Sequence, residues 1–113
     1  MLSILFNSAL REKILYYLVE TGEAYSSELA ENFKVSLFPV QNQLQRLEGA
    51  GILVSRSIGK TRMYTFNPRY FLLKELTALL KRSFAELPDD EAKTYYRPRK
   101  RPRRQGKPLR KEK

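Results

Sequence analysis

Five polar side chains packed into one short stretch, Gln41, Asn42, Gln43, Gln45 and Arg46, are the clearest candidates for chemistry in this chain. A solvated helix face is normally filled with Glu and Lys, which pair along the helix, so a row of amides is unusual. Asn and Gln match the N6 and N7 edge of adenine in the major groove of a duplex. An apolar ring such as Phe38 meets a thymine methyl, and a guanidinium holds a guanine or a phosphate. On a helix turning about 100° per residue, Leu37, Val40, Leu44 and Leu47 share one face. Phe38, Asn42, Gln45 and Arg46 lie opposite, with Gln41 at their flank. The expectation is a DNA recognition helix over residues 36–48, with Ser36 as its N-cap. Pro39 at the third helical position has no N–H to offer, so a Ser36 cap must bond to the N–H of Phe38.

A second set of cations, Arg56, Lys60 and Arg62, surrounds a Gly-containing bend at Ile58-Gly59-Lys60-Thr61. A charged hairpin tip beside a recognition helix can grip the phosphate backbone. A third set lies in the tail, at Arg97, Arg99, Lys100, Arg101, Arg103 and Arg104. Residues 1–88 carry 11 Lys and Arg against 8 Asp and Glu, whereas residues 89–113 carry 11 against 4, so most of the net charge of +10 is in the tail. Such a concentration implies an anionic polymer or an acidic surface as partner. Few apolar side chains follow Ala92, and Pro98, Pro102 and Pro108 interrupt any helix, so residues 89–113 are expected to be disordered when free. Tyr95 and Tyr96 are candidates for stacking on exposed bases.

The absence of Cys and His removes zinc sites built on those ligands, disulfides, thiol catalysis and the commonest general base. The clustered carboxylates Asp89, Asp90 and Glu91 follow a proline at the end of a helix and read as a solvated turn. No catalytic residue, metal site or cofactor is expected. No apolar run reaches the roughly 20 residues that span a bilayer, and the N-terminus lacks a cleavable signal pattern, so the expected location is the cytoplasm, at the nucleoid.

The elements that must hold these side chains follow from periodicity. A first helix is expected from Met1 to about Glu20, or else from Ala9 onward behind an Asn7 or Ser8 cap, leaving Leu2, Ile4, Leu5 and Phe6 as an apolar arm. Gly22 marks a break. A two-turn helix runs from Ser26 to Phe33, and Val35 is expected to plug the angle before the amide-bearing helix. Gly49 or Gly51 ends that helix. Residues 52–57 and 62–66 then read as a two-stranded hairpin with Tyr64 and Phe66 on one face. After Asn67-Pro68 a leucine-rich helix is expected from Arg69 to about Leu87, its wide stripe suited to a subunit contact.

In order, these residues resemble the winged helix-turn-helix of ArsR-type and MarR-type repressors, over roughly residues 5–82. The carriers are Ser-Ser-Glu-Leu-Ala-Glu (26–31), the passage from Val40 to Leu53, and Gly-Lys-Thr-Arg-Met-Tyr (59–64), with Leu-x-x-Leu-Glu-x-Ala-Gly-Ile-Leu the most specific part. Gly-Glu-Ala-Tyr (22–25) and Asn-Pro-Arg-Tyr-x-Leu-Leu-Lys-Glu-Leu (67–76) are most similar to the ArsR-like domain found before a small nucleotidyltransferase. The resemblance implies DNA binding and a homodimer built from the first and last helices. Metal sensing through Cys and His is not carried over, nor is nucleotidyl transfer, since no Gly-Ser motif with spaced aspartates is present.

The expected protein is mostly α with a small β-hairpin, a winged helix-turn-helix over residues 1–88 plus a C-terminal dimerisation helix and a disordered basic tail. Its expected function is sequence-specific binding of double-stranded DNA as a transcriptional repressor. Helix 36–48 enters the major groove, wing 55–63 lies on the backbone, and residues 1–18 and 70–84 form the dimer. Base readers are Gln41, Asn42, Gln45 and Phe38; Ser36, Arg46, Arg56, Lys60, Arg62 and the tail cations hold the rest of the duplex. The alternative is an interaction module whose tail binds RNA or an acidic protein.

Overall fold

The computed structural model describes residues 2–92 and Tyr96, with the side chain of Ser3 excepted. The chain runs α1 (Ser3–Phe6), α2 (Ala9–Thr21), β1 (Glu23–Tyr25), α3 (Ser26–Phe33), α4 (Leu37–Gly49), β2 (Leu53–Ile58), β3 (Thr61–Phe66), α5 (Leu73–Phe84) and α6 (Asp89–Glu91). Helices dominate, and the strands form one antiparallel sheet in the order β1-β3-β2.

The N-terminal segment takes the second of its two expected forms. Asn7 sits at φ +57°, which ends α1, and the Ser8 hydroxyl accepts from the N–H of Arg11 at 3.0 Å to start α2. The backbone N–H of Leu2 donates to the Glu12 carboxylate, which ties the short α1 back onto α2.

The sheet has one strand more than expected. Glu23, Ala24 and Tyr25 pair with Thr65, Tyr64 and Met63, so β3 becomes the central strand. Three residues are too few to show alternation, and β1 exists because the free edge of β3 needs hydrogen-bond partners. Ala24 is completely buried as a result, and Met63 is buried alongside the expected Tyr64. At the hairpin tip Ile58 pairs with Thr61, leaving Gly59 and Lys60 as a two-residue loop. Gly59 has φ +63°, the geometry of a type II′ turn with glycine at its first central position.

The turn between α3 and α4 is tight. Lys34 adopts the left-handed conformation at φ +57°, and the N–H of Val35 reaches back to the carbonyl of Ala30 at 3.0 Å. Val35 itself is exposed and does not plug the angle, because that bond holds its backbone against α3 and turns its side chain outward. The same capping arrangement ends α4, where Gly51 at φ +83° lets Ile52 N–H bond Leu47 O and Gly51 N–H bond Glu48 O, both at 3.0 Å. Of the two candidate glycines, Gly51 takes the left-handed position.

The last long helix is shorter than expected at both ends. Asn67 accepts from Arg69 N–H at 2.9 Å and donates to Gly51 O at 2.9 Å, and the bonds Tyr70 N–H to Asn67 O and Leu73 N–H to Tyr70 O keep residues 67–72 in consecutive turns. Leu80 and Phe84 point inward, while Phe71, Leu72 and Leu79 remain exposed.

The core joins Ile14, Leu15 and Leu18 of α2 to Leu29 and Phe33 of α3, Val40, Leu44 and Leu47 of α4, Leu53, Tyr64 and the inner face of α5. It also extends past residue 88. Ala92 is buried, and Tyr96 is only 1% exposed, with its ring 5.4 Å from Tyr16, 5.6 Å from Phe84 and 6.1 Å from Phe33. Tyr96 is therefore a core residue and not a free platform for bases, because a buried aromatic cage closes on it.

Candidate nucleic-acid interface

α4 is held by three neighbours that fix which of its faces remains free. Val40, Leu44 and Leu47 enter the core. α3 packs against it through the tight turn, and its own start is set by Glu28, whose carboxylate accepts from the N–H of Tyr25 at 3.2 Å and from the hydroxyl of Tyr17. The third hold comes from α2, where Arg11 Nε donates to Gln43 Oε1 at 2.8 Å. The same guanidinium donates to the carbonyl of Phe6 at 2.8 Å, so one side chain joins α1, α2 and α4.

The amide row is consequently divided. Gln41, Gln45 and Arg46 are exposed, and Phe38 is 75% exposed, an unusual position for a phenyl ring with nothing to cover it. Asn42 is half-buried, and Gln43 is committed to Arg11. Leu37 is exposed instead of inward, because the first turn of α4 projects beyond the core. Ser36 adopts the extended conformation of an N-cap, but its side chain makes no capping bond. A capping serine bonds to the second or third helical N–H, and Pro39 removes the third, leaving the exposed hydroxyl to solvent.

Between α4 and the hairpin lies a groove of about 290 Å³, lined by Ser27, Gln41, Gln45, Lys60 and Arg62 among others. Helix amides and wing cations thus border one channel. Arg62 is oriented across the strand, with Nε donating to Ser55 Oγ at 3.0 Å and Nη1 to Ser57 Oγ at 3.1 Å. Its partners are neutral, so its charge remains available. Ser55 in turn donates to the Glu48 carboxylate at 2.8 Å, which links the wing to the recognition helix through one chain of bonds. Arg56 differs, since it lies 3.6 Å from Glu23 across the sheet. Such an exposed pair is worth at most about 1 kcal/mol, so a phosphate could compete for it. Lys60 stands exposed at the tip.

Burial pushes the Tyr64 phenol above its usual range; the Glu48 charge adds to the rise and Arg62 opposes it. Ser55 and Ser57 did carry a signal: spaced two apart on a strand, they share the face on which Ser57 meets Arg62. The Arg11–Gln43 bond carried none, because its partners are 32 residues apart. The tail cations Arg97, Arg99, Lys100, Arg101, Arg103 and Arg104 lie outside the described residues.

Among the described residues no helix is long and apolar enough to cross a membrane. No curated protein matches the chain. Residues 8–55 match the family model described as bacterial regulatory protein, arsR family. That match spans α2, β1, α3, α4 and the start of β2, which are the elements that build and brace the exposed face of α4. Residues 8–55 thus carry an ArsR-type helix-turn-helix, which supports a DNA-binding transcription regulator.

Proposed function

We propose that this protein is a sequence-specific repressor that binds double-stranded DNA as a homodimer, with α4 in the major groove and the wing 55–63 on the backbone. The observation that carries the reading is the exposure of Phe38, Gln41 and Gln45 on a helix fixed from three sides, next to an arginine held in place on the wing. Gln41 and Gln45 read bases, with Phe38 against a thymine methyl and Asn42 in a lesser part; Arg62, Lys60 and the displaced Arg56 hold phosphates. The tail cations add further phosphate contacts. The dimer uses residues 1–18 and 70–84, where Ile4 of α1 and Phe71 just ahead of α5 are 91% and 83% exposed and need a cover that the monomer lacks. A two-fold dimer of this kind places its half-sites about 34–36 Å apart, one helical turn of DNA.

The test begins with a duplex enriched from a random pool by the wild-type protein. Gln45→Ala is expected to lose about 1–3 kcal/mol on that duplex and little on random DNA. Arg62→Ala is expected to weaken both alike and to reduce the salt slope by about 0.9. Equal losses on the two duplexes for Gln45→Ala would refute base reading, and failure of any duplex to enrich would refute sequence specificity.

A further inference from the structure

On the flank of α4 away from the wing lies a second groove, of about 400 Å³, between α1, α2, the end of α4 and the approach to α5. Its walls are apolar, formed chiefly by Leu5, Leu15, Leu47, Ile52 and Leu76. Two arginines, Arg11 and Arg46, line it beside these apolar residues, and no acidic residue does. Arg11 already spends Nε on Gln43 and Nη1 on Phe6. The Arg46 guanidinium, by contrast, has no hydrogen-bond or ion-pair partner among the described residues. Gln41 and Arg46 are five residues apart, which places them about 140° apart around the helix, so Arg46 belongs to this groove more than to the wing-side channel.

We propose that this groove is a binding site for a small organic acid with one carboxylate and a short apolar body. The volume lies within the roughly 300–1,000 Å³ of ligand pockets, which are typically apolar with a few placed polar groups. A planar carboxylate takes two parallel N–H bonds from the fork of Arg46, and its excess charge faces Arg11. The apolar body replaces water along the leucine walls. A phosphate or other polyanion would leave those walls wet, which is why the site favours an amphipathic monoanion. The ligand also meets the residue that holds the recognition helix, since a carboxylate close to Arg11 competes with Gln43 for the same guanidinium.

Octanoate is the probe, with 1-octanol as its neutral counterpart, titrated by calorimetry into the full chain without DNA. The expected result is saturable binding of one octanoate per chain, with 1-octanol about tenfold weaker or worse, since a charge-assisted hydrogen bond is worth about 1.5–3 kcal/mol. Arg46→Gln, an exposed substitution, is expected to cause a similar loss for octanoate and none for 1-octanol. In amide and guanidinium NMR spectra the Arg11 Nε–H and the Gln43 side-chain amide are expected to shift together during the titration. Octanoate that fails to saturate, that binds no more tightly than 1-octanol, or that is indifferent to Arg46→Gln overturns the site. Binding lost at protein concentrations where a dimer forms also overturns it, because the groove is then filled by the second copy. Saturation with the Arg11 and Gln43 resonances unmoved overturns the link to the recognition helix.

Discussion

Replacing Tyr96 with Ala tests whether the start of the basic tail belongs to the folded core. The ring is 1% exposed and meets Tyr16 and Phe84 edge-on at 5.4 and 5.6 Å and Phe33 at a tilt at 6.1 Å. Truncating a buried aromatic to Ala costs about 3–5 kcal/mol, and each favourable aromatic pair contributes about 0.5–1.5 kcal/mol beyond its area. A domain of this size is stable by about 5–15 kcal/mol, so the variant should lose a large share of its stability. At about 4–8 °C per kcal/mol, the melting temperature should fall by more than about 10 °C. The assay is urea and thermal unfolding followed by circular dichroism, with the midpoint and slope compared with wild type. A loss under about 0.5 kcal/mol, the range of ordinary surface changes, would refute the reasoning and return residue 96 to the free tail.

Lys34→Gly should stabilise the protein by about 0.5–1 kcal/mol, since a left-handed non-glycine residue costs about 1–2 kcal/mol and glycine returns about 0.5–1 through chain entropy; an unchanged or lower urea midpoint would contradict it. Burial, chiefly, raises the Tyr16 and Tyr64 phenols above their usual value of about 10. Each contributes stability that is fully present below the unfolded value and lost as pH rises through the folded one. Stability should therefore decline above about pH 10, and Tyr16→Phe should make that decline shallower; parallel curves for the two proteins would exclude the Tyr16 share. Phe71→Glu, on the exposed approach to α5, should shift sedimentation toward monomer while leaving helix content unchanged, and an unaltered mass would move the subunit contact elsewhere.

Local chemistry determined a large part of this molecule. Apolar residues at helical spacing, the breaks at Asn7-Ser8 and Gly49–Gly51 and the glycine-containing bend at 58–61 mark α2, α4 and the hairpin because each depends on periodicity or on a backbone angle, while the fold chose Ser8 as the cap and Gly51 as the stop. The amide row is equally a matter of spacing: residue types on a helix decide which side chains share a face. What tertiary structure decided is which of those side chains remain available. Gln43 is withdrawn by Arg11, Arg56 meets Glu23 across a central strand, and Tyr96 is drawn into an aromatic cage from a segment whose composition reads as unstructured. β1 likewise exists only because β3 offers it an edge. These contacts join residues far apart in the chain, and their free energy comes from surfaces that exist only once the helices have packed, so no local pattern records them.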